Sequence, residues 1–127
     1  MYSLKLHDKV YDDLKVLDNA LVIKVFKKLK QIQQEVRCWV VGGKVVTASR
    51  YKLGSRIVYE NYDNEIFYTN FAQKMVDKYQ PAEAFVLDVC LTDDDELKIV
   101  EVNCINCAGF YHGNLNKMIL ALENHFN

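Results

Sequence analysis

The sequence predicts an α+β domain in which two antiparallel β-hairpins form a sheet that is packed by helices. Two observations lead to this prediction. Alternating apolar segments occupy residues 35–52 and 84–103, and a short turn interrupts each pair. Apolar residues at helical spacing follow in residues 65–79 and 114–125. With 127 residues, one proline and no low-complexity stretch, the chain is expected to form one domain with a real core.

The chain before the first hairpin carries a basic cluster. Residues 20–26 are apolar and rich in β-branched side chains, which predicts a strand, whereas residues 8–19 fit either a short helix or a tight loop. The cluster consists of Lys24, Lys27, Lys28 and Lys30. Such a run is usually a solvated surface. The alternative is that it attracts a ligand that carries phosphate.

The first hairpin is predicted from its glycines. Gly42–Gly43 lies between alternating apolar runs, and a type I′ turn needs positive φ at both central positions. Val41 then pairs with Lys44. A regular ladder continued from that pair places Glu35 opposite Arg50.

The same register gathers charge on one face of the first hairpin. Arg37, next to Ala48 on the neighbouring strand, shares a face with Glu35 and Arg50. One interpretation is a cross-strand ion pair on the surface, which contributes well under about 1 kcal/mol. The other is a pair of guanidinium groups directed at phosphate, which arginine binds through two hydrogen bonds.

A helix is expected after the first hairpin, and a second one closes the chain. Residues 53–62 are typical of a loop with room for one short strand. Asp63 or Asn64 is predicted to cap the first helix and Pro81 to end it, and Asn114 is predicted to cap the second. The predicted inward-facing residues are Phe67, Phe71, Ala72, Met75, Val76 and Tyr79 in the first helix and Leu115, Met118, Ile119 and Leu122 in the second.

The second hairpin carries the candidate site. Whether its acidic turn has two or four residues, Asp88 lies directly opposite Glu101, and Asn103 follows on the same face. Opposed like charges destabilise a sheet by up to about 1 kcal/mol, and a divalent cation between them would reverse that effect. Two carboxylates and an amide oxygen are ligands that Mg²⁺ accepts alongside water and phosphate.

Two interpretations of these acidic residues remain. They lie either on an open, solvated face or at a strand end that enters a site. Two apolar residues earlier in the Glu101 strand favour the site. Replacing Asp88 with Asn and Glu101 with Gln together is then expected to leave the fold intact, because it removes the repulsion.

Charge and cysteine content narrow the class of protein. The net charge of −1 argues against general attraction to nucleic acid or to an acidic membrane surface. No apolar run reaches transmembrane length, so we expect a cytoplasmic protein. Cys38 and Cys90 lie in strand patterns and are predicted core residues. Cys104 and Cys107 form a Cys-x-x-Cys motif, but zinc would need two more ligands, so a structural role is favoured over zinc or redox chemistry.

Several of these motifs together resemble a known superfamily. The segment that runs from Glu35-Val-Arg37 through Gly42–Gly43, followed by Arg50, Asp88, Glu101-Val-Asn103 and Ala108–Gly109, resembles the C-terminal half of an ATP-grasp domain. The likeness covers about residues 20–126 and is closest to small, largely uncharacterised ATP-grasp proteins of bacteria and their phages.

The resemblance implies roles for particular residues. In ATP-grasp ligases, the positions matching Asp88, Glu101 and Asn103 hold one or two Mg²⁺ ions on the ATP phosphates. The position of Arg37 contacts phosphate or the acyl-phosphate intermediate, and Arg50 is expected to join it as a second catalytic arginine. The remaining cofactor-site candidates are Lys24, Glu35, Asn106 and Gly109, the last two lying in the loop that lines the acceptor site.

The resemblance also implies a reaction and partners. ATP-grasp ligases activate a carboxylate with ATP, and an amine then displaces phosphate, so the partners expected here are a nucleotide and a protein or peptide carboxylate. We expect a partial domain that lacks the N-terminal lid, with a companion chain or an oligomer supplying it. The alternative is a non-catalytic protein-binding module derived from the ATP-grasp fold.

Overall fold

The computed structural model describes residues 32–127, and in this part of the chain five strands form one antiparallel sheet. Their order across the sheet is β3-β2-β1-β4-β5. The elements are β1 Ile32–Val41, β2 Lys44–Leu53, β3 Arg56–Asn61, α1 Ile66–Lys78, β4 Ala84–Thr92, β5 Leu97–Asn103, a short 3-10 turn Ile105–Cys107 and α2 Leu115–Phe126. The predicted α+β class and both hairpins are confirmed, whereas the interpretations of residues 8–19 and 20–26 lie outside the described residues.

The two helices cover opposite faces of the sheet. Tyr68, Ala72 and Val76 of α1 pack on one face, called here the α1 face. The strand residues of that cluster are Val36, Cys38, Val40, Ala48, Phe85, Leu87 and Val89. Met118 of α2 packs on the other, called the α2 face, against Trp39, Val41 and Val86.

The predicted helix stripes are only partly correct. Ala72, Val76 and Met118 are buried. Phe67, Tyr79, Leu115 and Ile119, which were expected to face inward, are exposed. Each helix contacts the sheet along a strip narrower than its apolar surface. Between residues 32 and 127, neither helix has the length and apolar character needed to cross a membrane.

Helix capping follows the sequence in one helix and departs from it in the other. The Asn114 side chain accepts a hydrogen bond of 3.1 Å from the Lys117 amide, so the predicted cap of α2 is confirmed. Helix α1 begins after Glu65 without a side-chain cap. The Asp63 carboxylate, expected to cap α1, instead accepts from the Thr47 hydroxyl and the Ala48 amide of β2.

The first hairpin has the predicted turn but not the predicted register at its far end. Val41 pairs with Lys44, and both turn glycines have positive φ. Irregularities at Trp39/Val40 and Glu35/Val36 then shift the ladder. A slip of one residue moves a side chain to the opposite face.

That shift overturns two predicted pairs. Arg50 lies opposite Val36 instead of Glu35, and Arg37 lies opposite Ser49 instead of Ala48. Because Val36 belongs to the α1-face cluster, its partner Arg50 lies on the α1 face as well. The prediction that Arg37 and Arg50 share a face was therefore wrong.

The second hairpin keeps the pair that matters for the site. Asp88 lies directly opposite Glu101, as predicted. Near the turn the ladder is one residue away from either predicted register, because Leu97 pairs with Leu91. An irregularity between Asp88 and Val89 restores the expected alignment.

Candidate functional site

A buried ion pair lies at the centre of the α2 face. Arg37 of β1 and Asp88 of β4 are neighbours across the two central strands. The guanidinium donates from Nε to Oδ1 and from Nη2 to Oδ2, each at 2.8 Å. Hydrogen bonding to Asp88 raises the pKa of Arg37 in spite of its burial. Arg37 therefore supplies the opposite charge that the sequence argument sought for Asp88 in a metal ion.

Tyr51 and Glu35 extend this network. The Tyr51 hydroxyl lies 3.2 Å from Oδ2 of Asp88 and donates a short hydrogen bond to Oε2 of Glu35. Burial, and then the charge of Asp88, raise the pKa of the Tyr51 hydroxyl above its usual value, so it stays protonated. The ring of Tyr51 lies 5.1 Å from the Arg37 guanidinium carbon. A neutral donor and an aromatic face thus hold two carboxylates near a single buried cation.

The loop that follows β5 folds back over the pair. The carbonyl of Gly109 accepts a 3.1 Å hydrogen bond from Nη1 of Arg37. The ring of Tyr111 stacks on Tyr51 at 4.9 Å and lies 5.3 Å from the guanidinium carbon of Arg37. Arg37 is therefore held by the sheet on one side and by this loop on the other.

Two strand hydroxyls attach the end of the same loop to β2. The His112 amide donates to Ser49 at 3.2 Å, and the Asn114 amide donates to Thr47 at 2.7 Å. At Gly113, an added Cβ would lie 2.9 Å from the Trp39 ring, so a larger residue would require the ring to shift. The loop is packed closely against the sheet and is not merely a connection.

The other predicted metal ligands lie at the open end of the site. Glu101, opposite Asp88, is exposed, and Asn103, opposite Val86, is half-buried on the same face. Within residues 32–127 there is no group of three or more His, Cys, Asp or Glu side chains arranged to hold a metal ion. The predicted donor set instead combines two carboxylates with one amide.

This donor set is chemically suited to Mg²⁺, with one condition. Carboxylate and amide oxygens are the hard ligands that Mg²⁺ accepts. Both Asp88 oxygens, however, already accept from Arg37, and Oδ2 also lies in reach of Tyr51. A carboxylate has about four acceptor positions, so little capacity remains on Asp88 while Arg37 is bound to it.

The remaining sequence-predicted residues divide between the two faces. Glu35 and Gly109 belong to the Arg37 network, and Asn106 is exposed in the 3-10 turn. Arg50 instead donates to Gln34 at 2.8 Å, forms an ion pair with Glu60 and lies over the Tyr62 ring. Lys24 lies outside the described residues.

Sequence reasoning missed two aromatic members of the site. Tyr51 follows Ser49 at a spacing of two on β2, so the bulged register would have identified it. Tyr111 lies in an irregular loop with a φ of 53°, and no periodic pattern indicates where its ring packs. An α-left conformation at a bulky residue is uncommon, and here it accompanies the stacking on Tyr51.

A family model for an ATP-grasp domain, the third family of its clade, matches residues 4–122. The chain belongs to this ATP-grasp family. No curated protein and no solved structure matches the sequence significantly. Family membership confirms the resemblance drawn from the motifs, and it supports ATP binding and relationship to the ATP-dependent ligase superfamily.

Proposed function

We propose that this ATP-grasp protein binds Mg-ATP on the α2 face of its sheet and is related to carboxylate–amine ligases. The observation that supports this most directly is the Arg37–Asp88 pair with Glu101 opposite Asp88 on the next strand. One cation and two carboxylates meet there on adjacent strands. A Mg-ATP site needs both kinds of group, since arginine binds phosphate and carboxylates bind the metal.

The proposed binding step is an exchange of partners. Arg37 turns from Asp88 to a phosphate group, which offers the same two-point acceptor geometry. Asp88, released from Arg37, then joins Glu101 and Asn103 as a ligand for Mg²⁺. The buried carboxylate keeps a positive neighbour throughout, so the exchange avoids the large cost of an unpaired buried charge.

Other residues prepare Arg37 for this role. Glu35 and the neutral hydroxyl of Tyr51 lie beside it, and the rings of Tyr51 and Tyr111 flank the guanidinium. Gly109 fixes one more nitrogen through its carbonyl. Preorganised donors stabilise developing charge without reorganising during a reaction. When bound, Mg-ATP would supply the phosphoryl group that activates a carboxylate.

The acceptor side and the partners extend the proposal. Asn106 and Gly109 lie in the loop beside Arg37 and are candidates to line the acceptor site, with a protein or peptide carboxylate as the substrate class. A companion chain or a second copy would supply the lid, and Lys24 is a candidate contact to the nucleotide. Arg50 is not assigned a contact at this site, because it lies on the α1 face.

Calorimetric titration with ATP, with and without Mg²⁺, tests this function. Wild-type protein is expected to bind ATP more tightly with the metal present. Glu101→Gln should weaken that binding by about tenfold or more while leaving the fold intact, because Glu101 is exposed. Glu83→Gln, at an exposed carboxylate elsewhere on the chain, is the matched control and should bind like wild type. Equal affinities for the two variants would contradict the proposed metal site.

A non-catalytic protein-binding module is the second candidate. The edge strand β3 is short and exposed, and Ile57 and Tyr59 present large apolar side chains to solvent. An exposed edge strand can pair with an extended segment of a partner. Absence of both a binding heat and a thermal shift with millimolar Mg-ATP would favour this function over nucleotide binding.

A further inference from the structure

Two exposed cysteines lie directly beside the proposed metal site. Cys104 follows Asn103 in the chain, and Cys107 ends the 3-10 turn that comes next. Both are free and exposed, whereas Cys38 and Cys90 are buried. Neither Cys104 nor Cys107 belongs to the two core clusters formed by the described residues.

The turn between these cysteines has a geometry that suits a disulfide bond. The Cys107 amide donates to the Cys104 carbonyl at 3.3 Å, which closes a four-residue turn. Such turns hold their first and last Cα atoms within about 7 Å, and disulfides bridge Cα atoms about 4.4–6.8 Å apart. The two thiols are themselves hydrogen-bonded to each other. The bond therefore needs a rotation of side chains and little backbone movement.

We propose that Cys104 and Cys107 form a reversible intrachain disulfide, which gives the strand end that carries Asn103 a dithiol state and a disulfide state. The oxidant is a small-molecule disulfide such as oxidised glutathione. One cysteine thiolate attacks it, forms a mixed disulfide and releases one thiol. The second cysteine then displaces the other thiol. The chain loses two hydrogens, and the small disulfide is reduced to two thiols.

The effect of this bond is local. A ring across four residues fixes its own turn but leaves the rest of the loop, including Tyr111, without a new constraint. Its first residue is bonded to Asn103, so oxidation limits how the end of β5 can adjust. Mg²⁺ demands near-ideal octahedral ligand positions. On the basis of the proposed function, the oxidised form should bind Mg-ATP about tenfold more weakly, a size typical of perturbed support around a metal.

Mass spectrometry of the folded protein in glutathione buffers tests the disulfide itself. Wild type and the control Cys90→Ala should lose two hydrogens without accumulating an adduct. Cys104→Ser and Cys107→Ser should each accumulate one glutathione adduct, since the second thiol that resolves it is missing. Two stable adducts on wild type, or a dimer linked between chains, would overturn the proposal.

Titration with Mg-ATP of the fully reduced and fully oxidised protein then tests the coupling. Weaker binding in the oxidised form supports it, and equal affinity overturns it. If the disulfide forms but neither state binds Mg-ATP, the proposed function fails and the redox pair stands. The two proposals therefore fail in distinguishable ways.

Discussion

Arg37 and Arg50 show how differently one residue type behaves in two regions of the same sheet. Each forms an ion pair with a carboxylate on a neighbouring strand. In the Arg37–Asp88 pair, the side chains are 9% and 1% exposed. In the Arg50–Glu60 pair, they are 17% and 47% exposed.

The position in the sheet explains the difference. Arg37 and Asp88 lie on the two central strands, beneath a loop that packs back on them. Glu60 lies on the edge strand β3, where water solvates it. A central carboxylate has to obtain its partners from the protein, and Asp88 obtains them from Arg37 and Tyr51. The buried pair is therefore expected to control stability and the site, whereas the edge pair contributes little to either.

The sharpest test of this comparison is Asp88→Asn. Removing the charge leaves the buried Arg37 guanidinium without its counter-ion, so the free energy of unfolding should fall by about 3–5 kcal/mol. Urea denaturation monitored by fluorescence measures the change. This outcome reverses the sequence-based expectation for Asp88→Asn with Glu101→Gln, since Arg37 already offsets the repulsion between those carboxylates.

A double variant provides the control for that test. Arg37→Met with Asp88→Leu removes both charges and keeps apolar volume, so it should recover most of the lost stability. A loss of less than about 1 kcal/mol in Asp88→Asn alone would mean that the central pair behaves like a surface pair.

Asp63 is the intermediate case, because its partners are both buried and exposed. Its carboxylate accepts from Thr47 and Ala48 and pairs with Lys117 at 2.7 Å; the side chains of Asp63 and Lys117 are 9% and 52% exposed. Burial acts to raise the pKa of Asp63, but hydrogen bonds from Lys117, Thr47 and Ala48 outweigh it and lower the pKa. Asp63→Ala should therefore cost about 2–3 kcal/mol at neutral pH.

The lowered pKa of Asp63 also predicts a pH dependence. Its contribution is complete above the unfolded-state pKa of about 3.9 and is lost as pH falls through the lower folded-state value. Unfolding measured between about pH 6 and pH 2 should show a steeper decline for wild type than for Asp63→Ala. Lys117→Met, which removes only the exposed partner, should cost under about 1 kcal/mol. Parallel profiles for wild type and Asp63→Ala would contradict this assignment.

The smallest effect is expected at the edge of the sheet. Glu60→Gln removes the charge from the Arg50 pair, and the free energy of unfolding should change by less than about 1 kcal/mol. The difference should shrink further in about 1 M salt, because salt screens exposed charges. Denaturation of both proteins at low and high salt measures it. A loss above about 2 kcal/mol would remove the distinction between the central and edge pairs.

The sequence by itself determined the features that depend on local chemistry. Gly42–Gly43 specified a turn because both positions need positive φ, and Asn114 specified a cap because its side chain reaches the first amides of α2. The alternation of apolar residues predicted both hairpins, and the pair formed by Asp88 and Glu101 followed from the second one. The same motifs, in order, were sufficient to indicate the ATP-grasp family.

Only the tertiary structure decided which charged groups meet. The irregularity at Glu35/Val36 moved Arg50 to the α1 face, and a one-residue slip of this kind depends on packing from both sides of the sheet. The loop that brings Gly109 and Tyr111 to Arg37 has no periodicity, so its path is fixed by contacts with distant strands. Asp88 therefore has its immediate counter-ion in Arg37, 51 positions away in the chain, because only the folded sheet places them side by side.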